Sequence, residues 1–291
     1  MTGDNSNNHR GQQATGGVTE RRRTPWPLMA VAAIFIIVPF MFWYGTWFGR
    51  ELDDSEIEQY LREENNPRQT QHALSQLAGR MAKNDEVVRR WYPQLIALAG
   101  SNHTDVRMTA AWAMGQDNRA EEFRQPLRLL LQDSEPIVRR NAALSLVRFR
   151  DASGRPELLA MLRSYDVTAP VSGTLVSAHK EGTPIARESL LARVTDGEGN
   201  AHEVRSPLPG RIEKLTVIVE GSQIAIGEQL LTLAPDSNSV WESLRALYLI
   251  GIKEDLPEVE RFARGVPGMS DEVRRQAVQT IEAINNRPSN D

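Results

Sequence analysis

Four valines set the terms for this chain. Val106, Val138, Val240 and Val273 each sit near the start of a segment with helical spacing. Three of these segments read alike: Asp105-Val106-Arg107, Ile137-Val138-Arg139 and Glu272-Val273-Arg274. Alanines follow four or five places on, Ala110 and Ala111 in the first, Ala142 and Ala143 in the second, Ala277 in the third. The steps between the valines are 32, 102 and 33 residues. Removing the 69 residues from Thr168 to Asp236 leaves a middle step of 33, so a foreign module interrupts a helical array that then resumes in phase. Fixed periods of about 20 to 50 residues mark stacked repeats, in which each unit buries its apolar face only against its neighbours. Such arrays expose long surfaces to other macromolecules.

From Ser55 to Tyr165 the sequence predicts helix after helix joined by short polar turns. Asp133-Ser134-Glu135-Pro136 is a turn followed by a helix start. Val138, Ala142, Ala143, Leu146 and Val147 then form an apolar stripe at helical spacing. Gly154-Arg155-Pro156 breaks that helix, and Leu158, Leu159 and Leu162 begin another. The pattern resembles the HEAT-like repeat family. Leu127 to Leu162 is its best copy, Asp105 to Asp117 and Asp271 to Ile284 are good ones, and Val240 to Ile250 is a weaker one with Trp241 in the arginine position. In this reading the alanine pairs allow close helix approach, the valines and leucines fill the seams, and the arginines reach neighbouring carboxylates or carbonyls.

Thr168 to Asp236 has a different character, rich in Gly, Pro and β-branched residues, and it contains two related halves. Ala169-Pro170-Val171-Ser172-Gly173 answers Ser206-Pro207-Leu208-Pro209-Gly210. Glu181-Gly182 answers Glu220-Gly221, and Leu190-Leu191 answers Leu230-Leu231. Short strands punctuated by Gly/Pro turns predict a small closed β structure. The half-motifs resemble the biotinyl/lipoyl domain, which implies a flattened barrel-sandwich hybrid of two intertwined halves. In that family a lysine on the hairpin tip between the halves carries the cofactor. Here the tip is Thr195-Asp196-Gly197-Glu198-Gly199-Asn200, and no lysine lies between Lys180 and Lys214. No covalent biotin or lipoate is therefore expected. Unmodified versions are similar to those of periplasmic adaptor (membrane-fusion) proteins, but in typical adaptors a long helical hairpin separates the halves, whereas here the tip is a few polar residues.

Pro27 to Phe48 is a run of 22 residues without a charge. At about 1.5 Å per residue it is long enough to cross a bilayer's hydrocarbon core of about 30 Å. Trp26 at one end and Trp43, Tyr44 and Trp47 at the other fit interfacial aromatic belts. Bulky Phe42-Trp43-Tyr44 stands where a signal peptidase would need small residues, so an uncleaved anchor is expected. Arg21, Arg22 and Arg23 precede the run, and Glu51, Asp53, Asp54, Glu56 and Glu58 follow it. By the positive-inside rule the N-terminus is cytoplasmic and the bulk of the chain lies across a bacterial inner membrane, in the periplasm.

The sequence offers little chemistry. A net charge of −4 and a pI near 5.8 argue against a nucleic-acid binder. With no cysteine there are no disulfides, thiolate metal sites or cysteine nucleophiles. The histidines His9, His72, His103, His179 and His202 have no paired spacing, and His202-Glu203 lacks the second histidine of a zinc-protease motif, Ser206 standing in its place. Asp196 to Asn200 misses the calcium-loop pattern. No catalytic residue, metal ligand or cofactor is expected. Trp91, Trp112 and Trp241, with Tyr92 and Tyr248, are candidate partner-binding aromatics on the helical elements.

The expected architecture is thus α+β and multidomain. It comprises a disordered tail over 1–25, a transmembrane helix over 26–48, an α-solenoid of HEAT-like repeats over 51–166, a β domain over 168–236, repeats again over 237–286 and a short tail over 287–291. The function this implies is a non-enzymatic, membrane-anchored periplasmic scaffold or accessory subunit that grips a protein partner or membrane complex. An atypical adaptor of an export system is the alternative.

Overall fold

The computed structural model describes residues 33–40, 50–63, 66–178, 180–216 and 220–288. The chain divides into two units, Met1–Glu51 and Leu52–Asp291. In the first, residues 33–40 are helical and expose Ile34, Phe35, Ile36, Ile37 and Val38. The rest of the expected span over 26–48 and the tail over 1–25 lie outside the described residues. Among the described residues no helix is long and apolar enough to cross a membrane.

In the second unit a long helix alternates with a short one. The long helices are α2 (Pro67–Ala82), α4 (Thr104–Met114), α6 (Pro136–Arg148), α8 (Ser237–Ile250) and α10 (Asp271–Asn285). The short ones are α1 (Asp54–Arg62), α3 (Tyr92–Leu98), α5 (Arg124–Leu130), α7 (Arg155–Ala160) and α9 (Leu256–Ala263). A 3-10 turn leads into each short helix after the first, at Glu86–Trp91, Glu121–Phe123, Ala152–Gly154 and Lys253–Asp255. Pro93, Pro156 and Pro257 occupy the first turns of α3, α7 and α9, where a missing N–H costs nothing and a fixed φ suits the helix.

All four repeat valines are buried. The stack is built from two cores that share α6: Val138, Ala142 and Leu146 belong to the core of the earlier repeats, Ala143 and Val147 to the core of the later ones. The alanine pair therefore has a packing reason, since each member is fully buried and faces a different neighbour. The later core joins Leu158, Met161 and Leu162, before the insertion, to Val240, Leu244, Val259 and Phe262 after it.

Between α7 and α8 run eight strands: β1 (Tyr165–Thr168), β2 (Gly173–Ala178), β3 (Pro184–Ile185), β4 (Leu190–Thr195), β5 (Ala201–Arg205), β6 (Gly210–Leu215), β7 (Gln223–Ile224) and β8 (Gln229–Pro235). They form two antiparallel sheets, ordered β1-β8-β6-β3 and β5-β4-β2-β7. Shifting every strand by four in the numbering turns one order into the other, and each sheet takes strands from both halves of the sequence. The halves agree in detail. A Cβ on Gly173 would strike the carbonyl of Thr195, and one on Gly210 that of Ala234. Gly182 and Gly221 both have positive φ, and their N–H groups donate at 2.8 Å to the carbonyls of Ile212 and Leu175. The register slips between Leu175 and Ser177 and again between Ile212 and Lys214. Val167, Leu191, Val194, Ile212, Leu231 and Leu233 fill the space between the sheets. The first strand opens at Tyr165, ahead of the expected boundary at 168. The sequence after α7 is too short to display an alternation, and pairing with β8 fixes the strand. Arg287, expected in a tail, donates to the carbonyls of Gly251 and Tyr248 and so closes the end of α8.

Candidate partner-binding face

The seams between repeats explain the recurring polar residues. At the seam of α4 and α6, Arg107 grips Asp133 with two hydrogen bonds, Nε at 2.7 Å and an Nη at 2.9 Å, and donates to the carbonyl of Ser101 at 2.9 Å. Burial works to raise the Asp133 carboxyl, but the bonds from Arg107 and from the Glu135 N–H hold it below the usual carboxylate range. Ser145 Oγ on α6 donates to the carbonyl of Ala111 on α4 at 2.8 Å. This is possible because Gly115 lies against Ser145 with no room for a Cβ. At the far end of the stack, Thr280 Oγ1 on α10 donates to the carbonyl of Leu244 on α8 at 2.9 Å.

A second ladder escaped the sequence reading. Asp117, Asp151 and Asp255 are buried, each accepting a backbone N–H in the 3-10 turn region. Each also accepts from the short helix of the preceding repeat: Tyr92 Oη to Asp117 at 2.7 Å, Arg128 Nε to Asp151 at 2.8 Å, Arg155 Nη1 to Asp255 at 3.2 Å. The third rung crosses the insertion. Asp85, Asp117 and Asp151 recur at 32 and 34 residues, the same beat as the valines, and that signal was available in the sequence. Tyr92 serves this ladder and packs tilted against Phe123, at 4.6 Å between ring centroids.

The interrupted seam, between α6 and α8, is built differently. The β strands are inserted ahead of α8, whose start is capped by Asp236 accepting from the Asn238 and Ser239 N–H groups. Arg139 pairs with Glu157 Oε2 at 3.1 Å and donates to the carbonyls of Asp133 and Ser134. Arg140, only 5% exposed, has Glu157 Oε1 as its nearest carboxylate at 3.9 Å. Its buried Nε meets no hydrogen-bond acceptor among the described residues.

Over this seam lies an open groove of about 330 Å³, bounded by α4, α6 and α8 and reaching Met161 beyond α7. Trp112, Leu144 and Leu249 give it apolar walls, with Arg140, Arg148, Arg245 and Glu242 as its charges. A second hollow of about 520 Å³ continues past Arg245 and Leu249 to Tyr248, Gln276 and Glu282, carrying the same face onto α10.

The three candidate tryptophans part company here. Trp112 is 42% exposed and lines the groove. Trp91 is 1% exposed, in the core of the first repeats beneath Arg80 and Arg90, so it does not face a partner. The 3-10 turn Glu86–Trp91 rotates it inward, which a helical spacing rule could not anticipate. Trp241 is half-buried against the later core under the Arg245 guanidinium, at 4.6 Å. Tyr248, 44% exposed, lines the second hollow.

The β insertion contacts the array where Arg187 pairs with Asp105 and where Ser164 Oγ donates to Glu213 at 2.5 Å. At the β4–β5 tip, Asp196 accepts from the N–H groups of Glu198 and Asn200 and lies 2.8 Å from His202 Nε2. The tip is a closed turn without a lysine. Among the described residues no group of three or more His, Asp or Glu side chains could hold a metal ion.

Residues 92–169 match the family model for HEAT repeats. No curated protein matches the sequence. Among solved structures, a single-chain, multi-domain long-chain acyl-CoA carboxylase aligns at 19% identity over 35% of this chain, with a TM-score of 0.24. This chain covers only 10% of that structure's length, and at such a score the likeness carries no weight for fold or activity. The family match supports a HEAT-like helical repeat over residues 92–169.

Proposed function

We propose that this chain is a non-enzymatic scaffold or accessory subunit that holds a protein partner or membrane complex against its long helices. The observation that carries this reading is the groove beside Trp112, which runs over successive repeats and is not closed by the insertion. HEAT repeats are commonly protein-interaction modules, and a half-exposed tryptophan beside arginines is the composition of an interface centre.

The β insertion is read as a biotinyl/lipoyl-like module that serves as a rigid second contact surface. Its two-fold strand order and paired glycines support that reading, and the missing lysine argues against a carrier role. The uncharged run over 27–48 and the arginines before it support a single-pass anchor that places the bulk of the chain in the periplasm.

The test is cross-linking mass spectrometry on the tagged chain extracted in mild detergent from its native membrane. Cross-links from α4, α6 and α8 to one complex at fixed stoichiometry are expected. Cross-links confined to copies of the β module, with a transporter in the eluate, would replace this reading with the adaptor. A mass increment on the β module would overturn the non-carrier assignment.

A further inference from the structure

We infer that the groove over the α6/α8 seam takes an acidic peptide segment of the partner, one carboxylate entering against Arg140 while a neighbouring apolar side chain packs on Trp112 and Leu249. The inference rests on the scaffold reading and adds the chemistry of what is bound.

Arg140 is its centre. A guanidinium has five N–H donors and ordinarily satisfies most of them when buried. Arg107, one seam away, has three hydrogen bonds, two of them to one carboxylate. Arg140 is buried more deeply, and its neighbour Arg139 already takes the better-placed oxygen of Glu157. Burial pushes the Arg140 pKa down, outweighing the opposing charges of Glu157 and Asp236. Leaving a buried charge underpaired is costly, and a carboxylate brought into a low-dielectric site beside it makes a strong charge-assisted bond.

The rest of the groove favours the same ligand. Three arginines, Arg140, Arg148 and Arg245, face a single acid, Glu242, although the whole chain is net acidic at −4. Burial, reinforced by the charge of Asp236, pushes the Glu242 carboxyl up. Trp112 and Leu249, 42% and 61% exposed, supply apolar contact that an inorganic anion would not use. A volume of about 330 Å³ holds two or three side chains, not a folded domain.

The purified full-length chain in mild detergent is probed on an array of short random-sequence peptides with acidic, basic and neutral residues equally represented. Bound peptides should be enriched about tenfold in Asp or Glu adjacent to Leu, Phe or Trp, the size of effect expected for a charge-assisted hydrogen bond. Arg140→Met, which keeps side-chain bulk, and Arg245→Glu on the surface should each remove the enrichment while leaving the helical circular dichroism intact. No enrichment, enrichment in basic residues, or enrichment that survives both substitutions would overturn the inference. So would preferential binding to anionic phospholipid vesicles that Arg140→Met abolishes. If the native partner still cross-links to the long helices of the Arg245→Glu chain at full yield, the scaffold reading stands and only the peptide chemistry fails. If the wild-type helices cross-link to nothing while the array shows the enrichment, the scaffold reading fails instead.

Discussion

Two seams of the same helical stack are held by different means. Between α4 and α6 the chain is continuous: Arg107 and Asp133 form a two-bond pair, Ser145 ties the helices together, and the polar groups named there have partners inside the protein. Between α6 and α8 the β module is inserted, and Asp236 at its end caps α8 by accepting the Asn238 and Ser239 N–H groups. Apolar contact, the Arg155–Asp255 rung, the Ser243 hydroxyl bonded to the carbonyl of Leu158 and the Arg163–Glu258 pair carry the stack across, while Arg140 Nε meets no acceptor beneath an open groove. The insertion therefore leaves the repeat intact as packing and changes it as chemistry. Buried polar groups short of partners are concentrated at functional places more often than elsewhere, because stability gained in one seam can tolerate a deficit in the next.

The comparison is broken most severely if the β module and the helices are not separable. In Gly210→Val the new side chain falls on the carbonyl of Ala234, a backbone atom that cannot step aside, and the cost should be about 3 kcal/mol or more. Circular dichroism should lose its β component while the helical signal remains, with proteolysis cutting between residues 165 and 235. Retention of the full β signal would mean that the two-fold arrangement of the strands is wrong.

Two arginine substitutions sharpen the contrast. Arg107→Met strips a buried carboxylate of its partner at the continuous seam and should cost about 3 kcal/mol in chemical denaturation. Arg140→Met removes a buried cation that lacks good partners and should leave stability within about 1 kcal/mol of the parent, on the stabilising side. Equal losses at both positions would show that the interrupted seam uses Arg140 for folding, and the groove would then need no ligand.

Much of this arrangement is legible in the sequence, and what is missing has physical causes. The valines, alanines and arginines repeat because every seam needs the same volumes and a similar clasp, so a shared period reveals them. The half-motifs of the β module are readable because close strand approach at Gly173 and Gly210 leaves one residue type possible. Trp91 misleads because a 3-10 turn has three residues per turn and swings its side chain off the α-helical face. Arg140 is invisible for the opposite reason. It sits beside Arg139, the arginine in register with Arg107, at a place where the first repeat has Met108, so the period carries no signal for it.

Acid titration separates the seams next. The Asp133 carboxyl is held below its ordinary value in the folded protein, so in the window between the folded and unfolded values the unfolded chain binds the extra proton. Its contribution is complete above about pH 4, the ordinary carboxylate value, and is lost as pH falls through the lowered folded value. Asp133→Asn should flatten the acid limb of the stability curve, read as denaturation midpoints across pH. An unchanged acid limb would mean that the Arg107–Asp133 pair is not formed in solution.

Glu242 should give the smallest effect and the opposite sign. Burial first, then the nearby Asp236 charge, raise its carboxyl in the folded state, against a lesser pull from Arg245. The folded protein binds this proton more tightly than the unfolded chain does. Its stabilising contribution is therefore full below the ordinary carboxylate value and disappears as pH rises through the raised one. Glu242→Gln should be slightly more stable than the parent at neutral pH, and the advantage should vanish in acid. If Glu242→Gln were instead less stable at neutral pH, the carboxylate would have to be compensating the groove's arginines. The cationic surplus over the α6/α8 seam would then already be neutralised from within.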